Sequence, residues 1–210
     1  MVLLDPIRDL VRKMMRHVAR AVNHLSGGKL TPNQVTISGL IAHVPIVWLI
    51  ATGHGVIAGV MLIIFGLFDT LDGELARLQN WTTPLGMFMD SATDRIKEIL
   101  LYCGMAVALL QSGAPSWIMV ALVGALGASL CTSYLNAWGE AVLATVKVSK
   151  AHKVNKSFRS GLLSFEIRMF LIIVGLFTNR LDWVVVIILI LATITVAQRF
   201  MHITGRLKNV

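Results

Sequence analysis

The sequence predicts an all-α integral membrane protein, a six-transmembrane-helix bundle behind an N-terminal amphipathic surface helix. Three observations lead there. Of 210 residues, 56% are hydrophobic and 14% charged, against roughly 45–50% and about 25% in soluble domains, and the mean hydropathy is +0.74. Apolar runs of the ~20 residues needed to span a bilayer recur along the chain. The lysines and arginines gather in the turns on one side of those runs. That distribution assigns the net charge of +8 to a membrane surface and not to nucleic acid.

Residues 1–30 read as a cytoplasmic juxtamembrane helix and 31–210 as the transmembrane domain. In the first segment Leu3, Ile7, Leu10, Val11, Met14, Met15, Val18 and Val22 alternate with arginines, the pattern of a basic helix lying on a membrane or binding a partner protein. The segment is charged from its start and lacks the apolar core of a cleavable leader, so none is expected. Gly27-Gly28 end this helix, and Thr31-Pro32-Asn33 starts the next. The six spans are expected at about 34–52, 56–78, 85–111, 117–143, 161–178 and 183–204. Short hairpins at 53–55, 112–116 and 179–182 make neighbouring helices antiparallel. Cys103 and Cys131 lie inside apolar runs with neither disulfide nor zinc spacing, and read as small buried hydrophobes.

Arg8, Arg12, Lys13, Arg16, Arg20 and Lys29 precede the first span. Arg77, Arg95 and Lys97 surround the turn between the second and third. Lys147, Lys150, Lys153, Lys156 and Arg159 fill the turn between the fourth and fifth, and Arg206 and Lys208 close the chain. Arg180 falls on the opposite side. The positive-inside rule then puts both termini in the cytoplasm.

The second and third spans also hold Asp69, Asp72, Glu74, Asp90, Asp94 and Glu98. An aspartate at the centre of a membrane helix costs about 2.5–3.5 kcal/mol, so such residues mark function by default. Asp69, Asp72, Gly73 and Ala76 share one helical face, and so do Gly86, Asp90 and Asp94. On antiparallel neighbours the four aspartates converge near the cytoplasmic end. Their mutual repulsion calls for a cation, and hard oxygen donors suit Mg²⁺, Mn²⁺ or Ca²⁺. Small residues beside them allow close approach of a ligand, and Arg77 is placed to hold a phosphate. Together these suggest a diphosphate substrate. Glu74 and Glu98 leave the two faces, with Arg77, Arg95 and Lys97 available to pair with them.

The run Asp69-Thr70-Leu71-Asp72-Gly73-Glu74-Leu75-Ala76-Arg77, eight residues, then Gly86-Met87-Phe88-Met89-Asp90-Ser91-Ala92-Thr93-Asp94 resembles the signature of the CDP-alcohol phosphotransferases, D-x2-D-G-x2-A-R-x8-G-x3-D-x3-D, at every fixed position. The resemblance implies that Asp69, Asp72 and Asp90 bind one or two Mg²⁺ or Mn²⁺ ions. Asp94 is implied as the catalytic base that activates an acceptor hydroxyl. Gly73, Ala76, Arg77 and Gly86 would surround the CDP moiety, with Asn33 and Thr36 in the same pocket. Bound cations would neutralise charge developing on the departing CMP. No covalent Ser, Cys or His nucleophile is required, and the six histidines, at 17, 24, 43, 54, 152 and 202, are expected at surfaces or interfaces. The implied partners are a CDP-linked lipid, an alcohol, membrane lipids and a second copy of the chain in a homodimer.

Ser133-Tyr134-Leu135-Asn136-Ala137-Trp138-Gly139-Glu140, Arg168 and Gln198-Arg199 are similar to the phosphatidylinositol-phosphate synthases within that family. There, basic residues at these places bind the phosphate of inositol phosphate. Arg168 and Arg199 keep the match, while Asn136 and Trp138 stand where that subgroup has lysine and arginine. A phosphorylated polyol is therefore the first acceptor, with Arg168, Arg199 and Asn136 as its contacts. Glycerol phosphate, a free polyol, a second lipid and a CDP-polyol donor are the alternatives. For the two arginines the competing reading is pairing with Glu166 or Glu140. The basic run 147–159 suits anionic headgroups, at ~1 kcal/mol per basic residue. A cation transporter is the rival class, but the acids stop at the cytoplasmic end and the outer half-helices are apolar. A catalytically dead relative conflicts with the intact signature.

Overall fold

The computed structural model describes residues 5–145 and 162–207. The basic run at 147–159 and Lys208 lie outside them. Among the described residues the chain forms α1 (Asp5–Leu25), α2 (Pro32–Ala51), α3 (Gly55–Gly66), α4 (Phe68–Leu78), α5 (Pro84–Gln111), α6 (Ser116–Thr145), α7 (Phe165–Thr178) and α8 (Leu181–Leu207). Local chemistry accounts for the breaks. Gly53 and Gly113 stop α2 and α5 at φ of 80° and 72°, a conformation that side chains resist. Asn80 and Asn179 end α4 and α7 at φ of 52° and 54°, where asparagine is the best tolerated alternative to glycine. The second expected span is broken at Leu67, whose N–H turns back to Ile64 O at 3.2 Å. The break follows Gly66, a weak helix former, and falls two residues before Asp69.

The chain divides into two compact units, Met1–Gly104 and Met105–Val210. In the first, α4 is the hub. Met15 and Ala19 of α1 are buried with Val35, Leu71 and Leu75, and Val11, Leu30, Leu67 and Phe68 pack around them. Gln79 Nε2 donates to Asn23 Oδ1 at 2.8 Å and Leu30 O at 2.9 Å, tying the end of α4 to the α1–α2 turn. The apolar stripe of α1 thus divides: Met15 and Ala19 dock on α4, while Leu10, Met14, Val18 and Leu25 stay exposed. Gly104 lets α5 meet α2 closely, because a Cβ there would lie 3.0 Å from Val47 O.

In the second unit α6 packs along α8, and α7 and α8 form a hairpin. Small residues set these distances. A Cβ at Gly124 would meet Leu189 Cδ1 at 3.0 Å, one at Gly139 would meet Ile203 Cδ1 at 3.0 Å, and one at Gly175 would meet Val184 Cγ2 at 2.7 Å. Such close approach is the usual means of helix association in lipid.

Among the described residues, four stretches are long and apolar enough to cross a membrane: Pro32–Ala51, Gly55–Leu78, Ser116–Val142 and Leu181–Gly205. The protein is therefore an all-α multi-pass integral membrane protein with about four apolar spans. The other two expected spans differ for physical reasons. Helix α5 carries Asp90, Asp94, Arg95, Lys97 and Glu98. Helix α7 starts late, because Ser164 caps it by accepting from Ile167 N at 3.4 Å. Its 14 residues reach only ~21 Å at ~1.5 Å each. Exposed Trp48, Val120, Val123 and Phe170 give the helices apolar outer faces suited to lipid. Cys103, expected to be buried, is exposed and Cys131 is half-buried; lipid tails accept a thiol that water would not favour. His43 also departs from expectation. It is buried, with Nδ1 2.7 Å from Gly39 O, a bond that satisfies one ring nitrogen within its own helix.

Gly104→Val is expected to lower stability by about 1–3 kcal/mol through overpacking against α2. Gly127→Val, with nothing within 4 Å of its Cβ position, should leave it nearly unchanged; thermal unfolding in detergent compares the two.

Candidate active site

The first turn of α2 is fixed by a reciprocal cap. Thr31 N donates to Gln34 Oε1 at 2.8 Å, and Gln34 N donates to Thr31 Oγ1 at 3.3 Å. This sets Asn33 and Thr36 against α4. Thr36 Oγ1 lies 2.5 Å from Asp72 Oδ2 and 3.1 Å from Pro32 O, so a buried hydroxyl holds a buried carboxylate in one rotamer. Across the α4–α5 turn, Gly86 N donates to Thr83 Oγ1 at 3.0 Å, the bond of a helix N-cap with Pro84 just inside the helix.

These elements enclose a cavity of about 240 Å³. Asp69, Asp72 and Asp90 line it. So do Asn33, Thr36, Gly73, Ala76, Arg77 and Gly86, the residues that sequence reasoning assigned to one pocket. A Cβ at Gly86 would stand 3.3 Å from Thr83 Oγ1 and 3.4 Å from Asn33 Oδ1, so glycine keeps this wall open. Pro32, Trp81, Thr82, Thr83 and Met87 line the cavity as well and were not foreseen. The cap sequence Thr83-Pro84 was the available signal, since it folds the intervening turn back beside Gly86. Asp94 stands one turn beyond Asp90 on α5.

Several of the acids meet a basic side chain. Asp69 Oδ1 accepts from the buried Lys97 ammonium, whose Nζ is also 3.9 Å from Asp94 Oδ1. Arg95 Nη2 is 3.8 Å from Asp94 Oδ2, and its Nη1 donates to Glu98 at 3.1 Å. Asp94 Oδ1 is buried without a hydrogen-bond donor. Glu74 takes Arg77 on one oxygen and Arg16 of α1, at 3.2 Å, on the other. Of the three cations available to Glu74 and Glu98, Arg77 pairs with Glu74 and Arg95 with Glu98, whereas Lys97 goes to Asp69.

Three carboxylates on one cavity wall suit a hard divalent cation in donor chemistry. Among the described residues no three His, Cys, Asp or Glu side chains gather closely enough to enclose an ion. Asp69 is turned to Lys97 and Asp72 to Thr36, so two of the three donors have other partners in this conformation.

In the second unit, Arg168 and Arg199 are brought together by Thr132 of α6. Arg168 Nη1 is 3.4 Å from Thr132 Oγ1 and its guanidinium lies 5.7 Å from the centre of the Phe165 ring. Arg199 Nη1 donates to Thr132 O at 2.5 Å. Both arginines are buried. Asn136 follows Thr132 by one turn on the same face. Trp138 leaves that face and stacks on Tyr134 at the exposed surface, ring centres 6.4 Å apart.

The CDP-alcohol phosphatidyltransferase family profile matches residues 29–198. The phosphatidylinositol phosphate synthase of Corynebacterium glutamicum is 34% identical over 143 residues, 67% of this chain and 58% of that one. A bifunctional IPC transferase and DIPP synthase of Aquifex aeolicus is 31% identical over 186 residues, 88% of this chain and 40% of that one. The chain thus spans about half the length of these curated relatives. Among solved structures, phosphatidylinositol phosphate synthase of Mycobacterium tuberculosis with CDP-DAG bound shares the fold, with TM-score 0.76 and 23% identity, covering 91% of this chain and 94% of that one. The same protein in complex with manganese and citrate also gives TM-score 0.76, covering 90% and 88%.

Thr36→Val, which keeps the shape and removes the donor to Asp72, is expected to lower stability by about 1.5–3 kcal/mol. Thr36→Ser should restore most of it, as read by thermal unfolding.

Proposed function

The chain belongs to the CDP-alcohol phosphatidyltransferase family, and from that premise we propose that it moves a phosphatidyl-type group from CDP-diacylglycerol to a phosphorylated polyol such as inositol phosphate, releasing CMP. The observation that carries the reading is the single cavity lined by Asp69, Asp72, Asp90, Arg77 and the small residues of the signature. The names of the relatives, and the CDP-DAG and manganese in the M. tuberculosis structures, support the donor, acceptor and metal.

In this reading Asp69, Asp72 and Asp90 hold one or two Mg²⁺ or Mn²⁺ ions. The bound metal supplies neutralisation of charge developing on the departing CMP. Arg77, steered by Glu74, holds diphosphate oxygens with charge-assisted hydrogen bonds. Gly73, Ala76 and Gly86 leave room for the nucleotide, and Asn33 and Thr36 line its other side. Asp94 accepts the proton of the attacking hydroxyl. Arg168 and Arg199, assisted by Asn136, hold the acceptor's phosphate. Asn136 and Trp138, in place of basic residues, favour keeping glycerol phosphate as the second acceptor.

The same reading places both termini and the reaction on the cytoplasmic side, with α5 and α7 completing six spans. Residues 1–30 serve as the juxtamembrane helix, residues 31–210 as the catalytic domain, and two copies form a homodimer.

The purified protein with Mn²⁺ and CDP-diacylglycerol is expected to release CMP when inositol phosphate is added, and EDTA should stop it. Release with glycerol phosphate alone would reassign the acceptor, and no metal-dependent release with any alcohol would remove the reading. Asp94→Asn should cut kcat by about 10²–10⁴-fold while donor binding persists. A normal rate would remove Asp94 as base.

A further inference from the structure

Lys97 is a buried ammonium that the proposed reaction does not use. It is 2% exposed and reaches the acids from α5, three residues after Asp94, so the two side chains share a helical face. Its Nζ pairs with Asp69 Oδ1 on one side and lies 3.9 Å from Asp94 Oδ1 on the other. That second oxygen is the buried acceptor without a hydrogen-bond donor. Gly39 of α2 lies beside the ammonium: a Cβ there would be in ordinary contact, 3.7 Å from Nζ and 3.4 Å from Phe68 Cβ. The ammonium therefore has one carboxylate in hand and a second about 1 Å beyond charge-assisted bonding distance.

We propose that Lys97 is a tethered counter-cation that holds Asp69 until a divalent cation takes that carboxylate, and then passes to Asp94. The proposal rests on the metal-binding reading of Asp69, Asp72 and Asp90. Asp69 exchanges one cationic partner for another, so its charge is offset throughout. Lys97 moves to the oxygen that lacks a donor and fixes the Asp94 carboxylate in one rotamer. Metal loading thereby orients the proposed base. Lys97 acts through Asp69 and Asp94, which makes it a positioning residue.

Mn²⁺ titration calorimetry of the full chain in detergent tests this. Lys97→Met removes the competitor, and is expected to bind Mn²⁺ about tenfold more tightly than the wild type, with a lower unfolding temperature in the absence of metal. Lys97→Arg, which keeps the charge, should stay near the wild-type affinity. Lys97→Gln gives the same reading if Lys97→Met does not fold. The transfer to Asp94 predicts that Asp94→Asn weakens Mn²⁺ binding by a larger factor in the wild type than in Lys97→Met. Wild-type protein that takes up no Mn²⁺ removes the metal reading and this proposal with it. Wild-type protein that binds Mn²⁺, with Lys97→Met binding no more tightly, overturns the counter-cation alone. Equal factors for Asp94→Asn in both backgrounds overturn the transfer.

Discussion

The acids on α4 and α5 repel one another, and the first unit is arranged so that most of them meet a partner where they stand. Two like charges 4 Å apart at an effective dielectric constant of about 20 repel by about 4 kcal/mol, a large fraction of the net stability of a folded domain. Lys97 meets Asp69, Thr36 meets Asp72, Arg95 meets Glu98, and Arg77 and Arg16 share Glu74. Each partner comes from a defined helical position, so the carboxylates can be displayed on a cavity without collapsing the helices that carry them.

Glu74 links this arrangement to the amphipathic helix. It is buried, it occupies a variable position of the signature, and it joins Arg16 of α1 to Arg77 at the cavity. Helix α1 is thus docked on the signature helix by Met15 and Ala19 and by a charged bond as well. Its remaining apolar residues stay outward, where a membrane surface can take them. The amphipathic helix and the helix that carries the first aspartates are one packed pair.

The second unit poses the opposite problem, two buried guanidinium groups. Thr132 addresses part of it with its hydroxyl facing Arg168 and its carbonyl accepting from Arg199.

The amino-acid sequence by itself determined the helical class, the membrane setting, the turns and the signature residues of the cavity. Periods of 3.6 residues, apolar run lengths, glycines and helix caps are local quantities, and the signature is a spacing along two adjacent helices. Spacing alone therefore puts Gly73 and Ala76 on one helical face and Gly86 and Asp90 on another. Only the tertiary structure decided the partners of the charges and the division of the α1 stripe. By sequence Lys97 was available to Glu74 and Glu98, and Thr36 gave no sign of holding Asp72 across 36 residues. Those choices depend on which side chains arrive at the same depth when helices pack, and sequence spacing within one helix carries no information about depth in the next.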